Sequence, residues 1–346
     1  MSKFRAVIVG LGTIHPMHAV SIGMCDKVEL VAVCDNKEDR AKAGGERYGV
    51  PYYLDYKEMI DTVKPDVVHI CLPHYMHYPV AAYALKAGCN VLSEKPMTIK
   101  YEDAVDEVKI AKETGKTLGI ISQNRYNPGS VLIKNAITSG KLGKIYSARA
   151  FLAWDRSDEY YSKSDWKGTW DKEGGGVIID QAIHTLDLMR WFVDDEIDWV
   201  DATIDNKAHE IIEVEDVAEG VIAYKNGIKT SFYCMNYYTF NAEVEIEMHC
   251  EKGMVHMYKD RAIIKYNNGL EESAEMPESE MIDFGKGIPQ YWGVSHFKQI
   301  CQYYDALEKG VQPEINGEEA LKSMRMICAI YDSGKAKKRI VFGRDI

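Results

Sequence analysis

Apolar positions in the first third of the chain fall in short continuous runs, separated by segments in which they recur every three to four residues. The runs Phe4–Val9, Val28–Cys34, 67–73, Asn90–Ser93 and 117–122 have the character of strands buried on both faces, as in a parallel sheet. Between them, residues 36–48, Tyr56–Val63, 78–87 and 102–114 carry helical spacing, with a stop at Pro65 and a C-terminal glycine at Gly88; residues 50–53 add a short strand. Strands alternating with helices at this pace predict a doubly wound parallel α/β sheet. The pattern then changes. Residues 201–207, Val217–Tyr224, Lys229–Met235, 243–250 and 254–259 are strand-like, and Glu243-Val244-Glu245-Ile246-Glu247-Met248 alternates strictly, as in a strand with one buried and one wet face. Asn226-Gly227 marks a hairpin turn. Helical spacing returns at 296–309 and 318–336, and the acidic stretch 271–280 reads as a solvated loop.

A length of 346 residues fits two domains, and no internal repeat is visible. The net charge of −11 argues against nucleic acid or an anionic membrane surface as partner. Eight cysteines without CxxC spacing read as reduced, mostly buried thiols rather than a disulfide or zinc framework. Histidines 69, 74 and 77 do not complete a ligand set, so no metal site is expected. Without a bilayer-length apolar run or a signal-like leader, the expected location is the cytoplasm.

The first strand leads directly into Gly10-Leu11-Gly12-Thr13-Ile14-His15. A glycine pair here lets a pyrophosphate approach the N-terminus of the next helix, where N–H groups and the dipole favour an anion. His15 occupies the position usually held by a third small residue, where its bulk challenges close helix–strand packing. The second strand ends at Asp35, beside Asn36, where a carboxylate accepts from an adenosine ribose and repels a 2′-phosphate. NAD is thus favoured over NADP, with Arg40 the nearby cation working the other way. Pro73 and Glu94-Lys95 close later strands on the same sheet edge, where ligands of such folds bind. Farther on, Gly174-Gly175-Gly176 introduces a helical stretch with Asp180, His184 and Asp187 on one side and Ile179, Ile183, Leu186 and Arg190 on another. The glycines are expected to let the backbone approach a ligand, and Asp180 and His184, one turn apart, form a candidate acid/base pair.

Several of these pieces resemble the glucose-fructose oxidoreductase/inositol dehydrogenase/MocA family. They are the glycine loop with His18 downstream, Cys71-Leu72-Pro73 with His77, the run from Ala87 to Pro96 ending in Glu94-Lys95-Pro96, and the Gly174–Asp187 stretch. The resemblance implies an N-terminal Rossmann domain at residues 1–122. It also implies an α+β domain with a large open, mostly antiparallel sheet at residues 123–346, used for substrate binding and for a homo-oligomer, dimer or tetramer. It implies NAD as cofactor, held by Gly10, Gly12, Thr13, Ile14, Asp35, Asn36, Cys71, Pro73, His77, Glu94, Lys95 and Gln123. Lys95, Asp180 and His184 are the implied catalytic trio, with the roles of Lys95 and His184 as base interchangeable at this point. Asp187 is assigned a structural role, orienting His184 or binding backbone. The connector carrying Trp154, Arg156, Tyr160, Tyr161, Trp166 and Trp170 has the aromatic and polar mixture of a sugar pocket, and equally that of a lid or subunit contact. Arg125, Tyr126, Trp154, Arg156, Tyr160 and Trp166 join Lys95, Asp180 and His184 as candidate substrate contacts. The expected activity is NAD-dependent oxidation of a secondary hydroxyl, C3 being the favoured position, in a sugar, glycoside or polyol. A redox-elimination glycosidase and a non-catalytic sugar or NAD sensor are the alternatives.

Overall fold

The computed structural model describes residues 3–259, 261–285 and 290–345. The chain forms two compact units, Met1–Gln123 with Ser279–Lys322, and Asn124–Glu278 with Ser323–Ile346. The expected break at 122/123 and the observed one at 123/124 differ by one residue. Ser279–Lys322, which the sequence reading assigned to the second domain, belongs to the first. The reason is the helix Gln290–Lys309, whose Ile300, Tyr303 and Tyr304 are buried in one cluster with Ala6, Ile8, Val33 and Leu92.

In the first unit, β1 (Phe4–Val9), β2 (Val28–Cys34), β3 (Tyr52–Tyr53), β4 (Val67–Ile70), β5 (Asn90–Ser93) and β6 (Leu118–Ile120) pair in parallel in the order β3-β2-β1-β4-β5-β6. The strand order reverses at β1, the switch point where such sheets bind ligands. The intervening helices end as their sequences dictate. Glu38–Tyr48 and Tyr101–Thr114 stop at Gly49 and Gly115, both left-handed, and Tyr56–Val63 is capped by Asp55, which accepts from the N–H groups of Lys57 and Glu58.

The second unit is a nine-stranded sheet. Its strands are β7 (Ile145–Ala153), β8 (Ile197–Asp205), β9 (Val217–Tyr224), β10 (Lys229–Met235), β11 (Glu245–Cys250), β12 (Gly253–Tyr258), β13 (Arg261–Tyr266), β14 (Glu271–Ala274) and β15 (Ile340–Val341), in the order β14-β13-β12-β11-β7-β10-β9-β8-β15. All neighbours are antiparallel except β7 and β10. The alternation in β11 holds: Ile246, Met248 and Cys250 are buried, while Glu245, Glu247 and His249 face outward.

Several elements of this unit departed from expectation. Strand β7 went unassigned because its inward positions include the small Ala148 and Ala150, and Phe151 points outward, which flattens the apolar signal. Part of the acidic stretch pairs as edge strand β14, with Glu272 in an ion pair with Lys141. The helix Pro128–Thr138, with proline in its first turn, also went unassigned.

Candidate active site

In the first unit the glycine loop is shaped by close packing. Gly10 has a left-handed φ of 95°, and a Cβ on it would stand 2.4 Å from the Cys71 carbonyl oxygen. Around Gly12 an added Cβ would meet no atom within 4 Å. Gly10 therefore lets two strand ends touch, and Gly12 leaves open space in front of the helix His15–Met24. That helix has no side-chain cap and no acidic residue in its first turn, so its N–H groups and dipole are left for an anion. Thr13 and Ile14 sit at this terminus. His15 turns back instead, its Nδ1 2.6 Å from the Gly12 carbonyl oxygen and its ring edge-on to Tyr48, which is how its bulk is accommodated.

Asp35 is buried and braces the loop, accepting at 2.9 Å from both the Leu11 and the Lys37 N–H groups, with Asn36 exposed beside it. Gln123, just past β6, has a buried side-chain carbonyl oxygen with no hydrogen-bond partner among the described residues. It is a buried acceptor that an amide N–H of a ligand would satisfy. An open glycine cradle, an uncapped helix, a ribose-side carboxylate and this orphaned acceptor all fit a nicotinamide dinucleotide.

His77 has both ring nitrogens engaged by main-chain carbonyls. It is fully buried, with Nδ1 2.7 Å from the Pro96 carbonyl oxygen and Nε2 2.8 Å from that of Leu72. It straps the Leu72-Pro73 turn to the Lys95-Pro96 turn, so it acts through those turns. Glu94 is also buried and points inward, with Oε1 on His18 and His296 and Oε2 on the Lys95 N–H. Lys95 itself is half-buried.

In the second unit the stretch after the three glycines is not one regular helix. Val177–Ala182 is a π-helical turn, followed by the α-helix Ile183–Val193, so Asp180 lies in the π turn and His184 at the start of the α-helix. Such bulges are frequent at functional sites. Gly175 and Gly176 approach protein closely. A Cβ on Gly175 would lie 2.0 Å from the Tyr331 hydroxyl, and one on Gly176 1.9 Å from the Glu215 carbonyl oxygen. That approach allows Glu215 to take three successive N–H groups: Gly176 at 2.9 Å and Ile178 at 3.0 Å on its carboxylate, and Val177 at 3.2 Å on its main chain. The Tyr331 hydroxyl accepts from Ile179 N–H and donates to Glu215. Burial pushes the Glu215 carboxyl up to about 7, against the pull of these donors. Glu215, one of three acidic residues among positions 213–216 just before β9, carries no signature in the sequence.

Around Asp180, one carboxylate oxygen, Oδ2, accepts from the Tyr160 hydroxyl at 2.7 Å, from Gln181 Nε2 at 2.6 Å and from Lys167 Nζ at 3.3 Å. Lys167 also bonds the Tyr160 hydroxyl. Burial and the Asp180 charge push the Tyr160 phenol far above its ordinary value, so it stays a donor. Glu173, buried and accepting from the Gly168 N–H, is pushed up to about 9 by burial and by Asp180. Lys167 and Glu173 were likewise missed as members of this cluster.

One expected substrate contact needs correction. Arg125 is buried and forms a two-pronged pair with Asp187, Nε at 2.7 Å and a terminal nitrogen at 2.6 Å, so its fork is spent inside the unit. Asp187 is buried and holds this pair, with the Ser323 hydroxyl donating to it as well. Burial favours its neutral form, and the charge and hydrogen bonds of Arg125 outweigh that and hold it down at about 2. Tyr161 belongs to a small core with Ile212 and Val214. Trp154, Arg156 and Tyr160 stay half-buried, the Arg156 guanidinium 4.9 Å from the Trp154 ring centre and 5.2 Å from that of Tyr160. Trp166 is half-buried too, its ring centre 5.2 Å from the Lys167 ammonium; Tyr126 is half-buried after β6. Among the described residues no cluster of metal-ligating side chains occurs.

Comparison with known proteins supports both halves. Residues 4–122 match the oxidoreductase family with an NAD-binding Rossmann fold, and residues 131–256 match the GFO/IDH/MocA C-terminal domain. D-glucoside 3-dehydrogenase of Escherichia coli K12 is 35% identical over 194 residues, so that alignment spans only 54% of the relative and 55% of this chain. Myo-inositol 2-dehydrogenase of Thermotoga maritima is 22% identical over 97% of this chain and 98% of its own. The WlbA dehydrogenase of Bordetella pertussis, solved in complex with NADH and UDP-GlcNAcA, superimposes with a TM-score of 0.86 at 29% identity, covering 99% of this chain and 100% of that one. The chain therefore belongs to the GFO/IDH/MocA family of NAD-binding oxidoreductases.

Proposed function

We propose that the protein oxidises a secondary hydroxyl of a sugar, glycoside or polyol, with C3 of a pyranose ring as the favoured position. NAD supplies the hydride acceptor when bound. His184 takes the hydroxyl proton, a role suited to imidazole because its ordinary pKa is near neutrality. Lys95 donates to the reacting oxygen, which orients the alcohol and, in the reverse direction, polarises the carbonyl. Asp180 accepts from a neighbouring hydroxyl. Trp154, Tyr160 and Trp166 offer ring faces to the C–H surface of the substrate, and Arg156 and Lys167 offer donors.

The observation that carries this reading is the convergence of three donors on one Asp180 oxygen, four residues before His184 on a segment anchored by Glu215. A carboxylate so held keeps one orientation, which recognition of a polyhydroxylated substrate needs. The likeness to a glucoside 3-dehydrogenase supports C3, and the inositol dehydrogenase supports ring polyols generally. The test is NADH formation with NAD and a panel of free sugars, methyl and aryl glycosides, inositols and nucleotide sugars. NADH formed with a pyranoside and a 3-keto product supports the proposal. Aglycone release without net NADH replaces it with redox elimination, and NAD binding with silence across the panel replaces it with a sensor. The outward face of the nine-stranded sheet, where Tyr146 and Phe151 are exposed, is the surface we assign to self-association.

A further inference from the structure

Behind the Lys95 turn lies a chain of buried polar groups that the reaction does not touch. Tyr304 hydroxyl lies 2.6 Å from His69 Nε2, His69 Nδ1 lies 2.8 Å from His18 Nδ1, and His18 Nε2 lies 3.0 Å from Glu94 Oε1. All four side chains are within 5% of complete burial. His296 Nε2 approaches the same Glu94 oxygen at 3.2 Å, and the Lys95 N–H reaches the other oxygen at 3.2 Å. The members come from the helix His15–Met24, β4, the end of β5 and the helix Gln290–Lys309, all within the first unit.

Their donor and acceptor capacities allow one consistent direction. The Lys95 N–H donates to Glu94, and with His18 and His296 presenting Nε2–H to the other oxygen a carboxylate, which accepts and never donates, satisfies all three. Burial alone would raise the Glu94 carboxyl, but the hydrogen bonds from His18 and His296 hold it well below its ordinary value. In that arrangement His18 Nδ1 is the acceptor and His69 carries its proton on Nδ1. Burial keeps His69 neutral, holding it well below its ordinary value, and its Nε2 is then an acceptor for the Tyr304 hydroxyl. The chain thus runs Tyr304 to His69 to His18 to Glu94, each member donating toward the carboxylate. Cys71 and His77 are the other titratable groups that feel the Glu94 charge, and both are fully buried or nearly so.

We propose that this polarised chain is a positioning device for Lys95: Tyr304 and His69 set the His18 tautomer, His18 and His296 lock Glu94 as an ionised acceptor, and Glu94 fixes the Lys95 main chain. This rests on the assignment of Lys95 to the site given above. The helix Gln290–Lys309 supports the same strand ends elsewhere, since Gln299 bonds Ser122 N–H and the Ile120 carbonyl and Tyr303 bonds the Val91 carbonyl.

The test is nitrogen-15 NMR of histidine-labelled full-length protein and its Tyr304→Phe variant, with signals assigned by loss in His18→Asn and His69→Asn. It needs no substrate. The wild type is expected to show His18 protonated on Nε2 and His69 on Nδ1. In Tyr304→Phe, which removes one hydroxyl and keeps the ring, the His18 signals are expected to shift although the substitution lies two residues away along the chain. The opposite tautomers in the wild type, or an unshifted His18 in the variant, overturn the proposal whatever the substrate proves to be. With a substrate in hand, Tyr304→Phe is expected to lower kcat by about tenfold at unchanged KM for NAD, the size seen when an orienting hydrogen-bond partner is lost. An unaltered kcat beside a shifted His18 severs the link to Lys95.

Discussion

Replacing Gly176 by alanine tests how the segment bearing Asp180 and His184 is held. The new Cβ would lie 1.9 Å from the Glu215 carbonyl oxygen and 3.0 Å from a Val214 methyl. The first neighbour is main chain and cannot rotate aside, so the segment and the residue it hangs from must part by more than 1 Å. Glu215 holds Gly176, Val177 and Ile178 through three hydrogen bonds, all in the buried interior. Losing two of them costs about 1–3 kcal/mol, and the overpacking itself adds about 1–3 kcal/mol. The expected loss is therefore about 4 kcal/mol, a large part of the stability of a typical domain. Urea unfolding followed by tryptophan fluorescence measures it, with Gly23→Ala as the contrast. Gly23 lies in the helix His15–Met24 with nothing within 4 Å of an added Cβ, so alanine there is expected to stabilise by about 0.5 kcal/mol. A Gly176→Ala protein that unfolds at the wild-type urea concentration refutes the close-packing argument.

Other consequences follow from the same geometry. Arg125→Ala leaves the Asp187 carboxylate buried without its two-pronged partner and is expected to cost about 3–5 kcal/mol, measured by urea unfolding. Asp35→Ala removes the acceptor of the Leu11 and Lys37 N–H groups together with the ribose-side carboxylate. It is expected to raise the KM for NAD by about tenfold and to narrow the preference over NADP, read from initial rates with each cofactor. Glu173 has a folded-state pKa of about 9 against an ordinary 4.5, so its contribution is fully present below about 4.5 and lost as pH rises toward 9. Between pH 7 and 9 the wild type is expected to lose about 1.4 kcal/mol per unit more than Glu173→Gln, which mimics the neutral acid; parallel pH profiles of the two would contradict the shift.

The first unit was largely legible because its signals are local. A strand, a glycine pair, a helix and an acidic residue at the end of the next strand follow one another within thirty-odd positions, and each is required by the chain's own packing. The second unit was less so. Strand β7 sits at the centre of the sheet yet buries alanines, and the edge strand β14 is short and polar. At the site, Asp180 and His184 stood out by type and spacing. Of the groups that hold this segment, Glu215 and Tyr331 come from distant stretches and become neighbours only on folding, while Lys167 and Glu173 lie just ahead of the glycines without a spacing that marks them. The glycine triplet was only partly legible for the same reason: its need for small residues is set by Glu215 and Tyr331, which sequence spacing does not reveal. Arg125 likewise looked like a free basic residue beside the cofactor domain, until Asp187, 62 positions away, claimed it.

The central claim is that His184 and Lys95 handle the proton of an alcohol oxidised by NAD. The most direct measurement is single-turnover NADH formation by the wild type, His184→Ala and Lys95→Met on one substrate, with NAD affinity determined in parallel by fluorescence titration. The account predicts that both variants still bind NAD while the rate of NADH formation falls by about a hundredfold or more, the scale of general acid–base catalysis. Wild-type rates in either variant that retains NAD would contradict it.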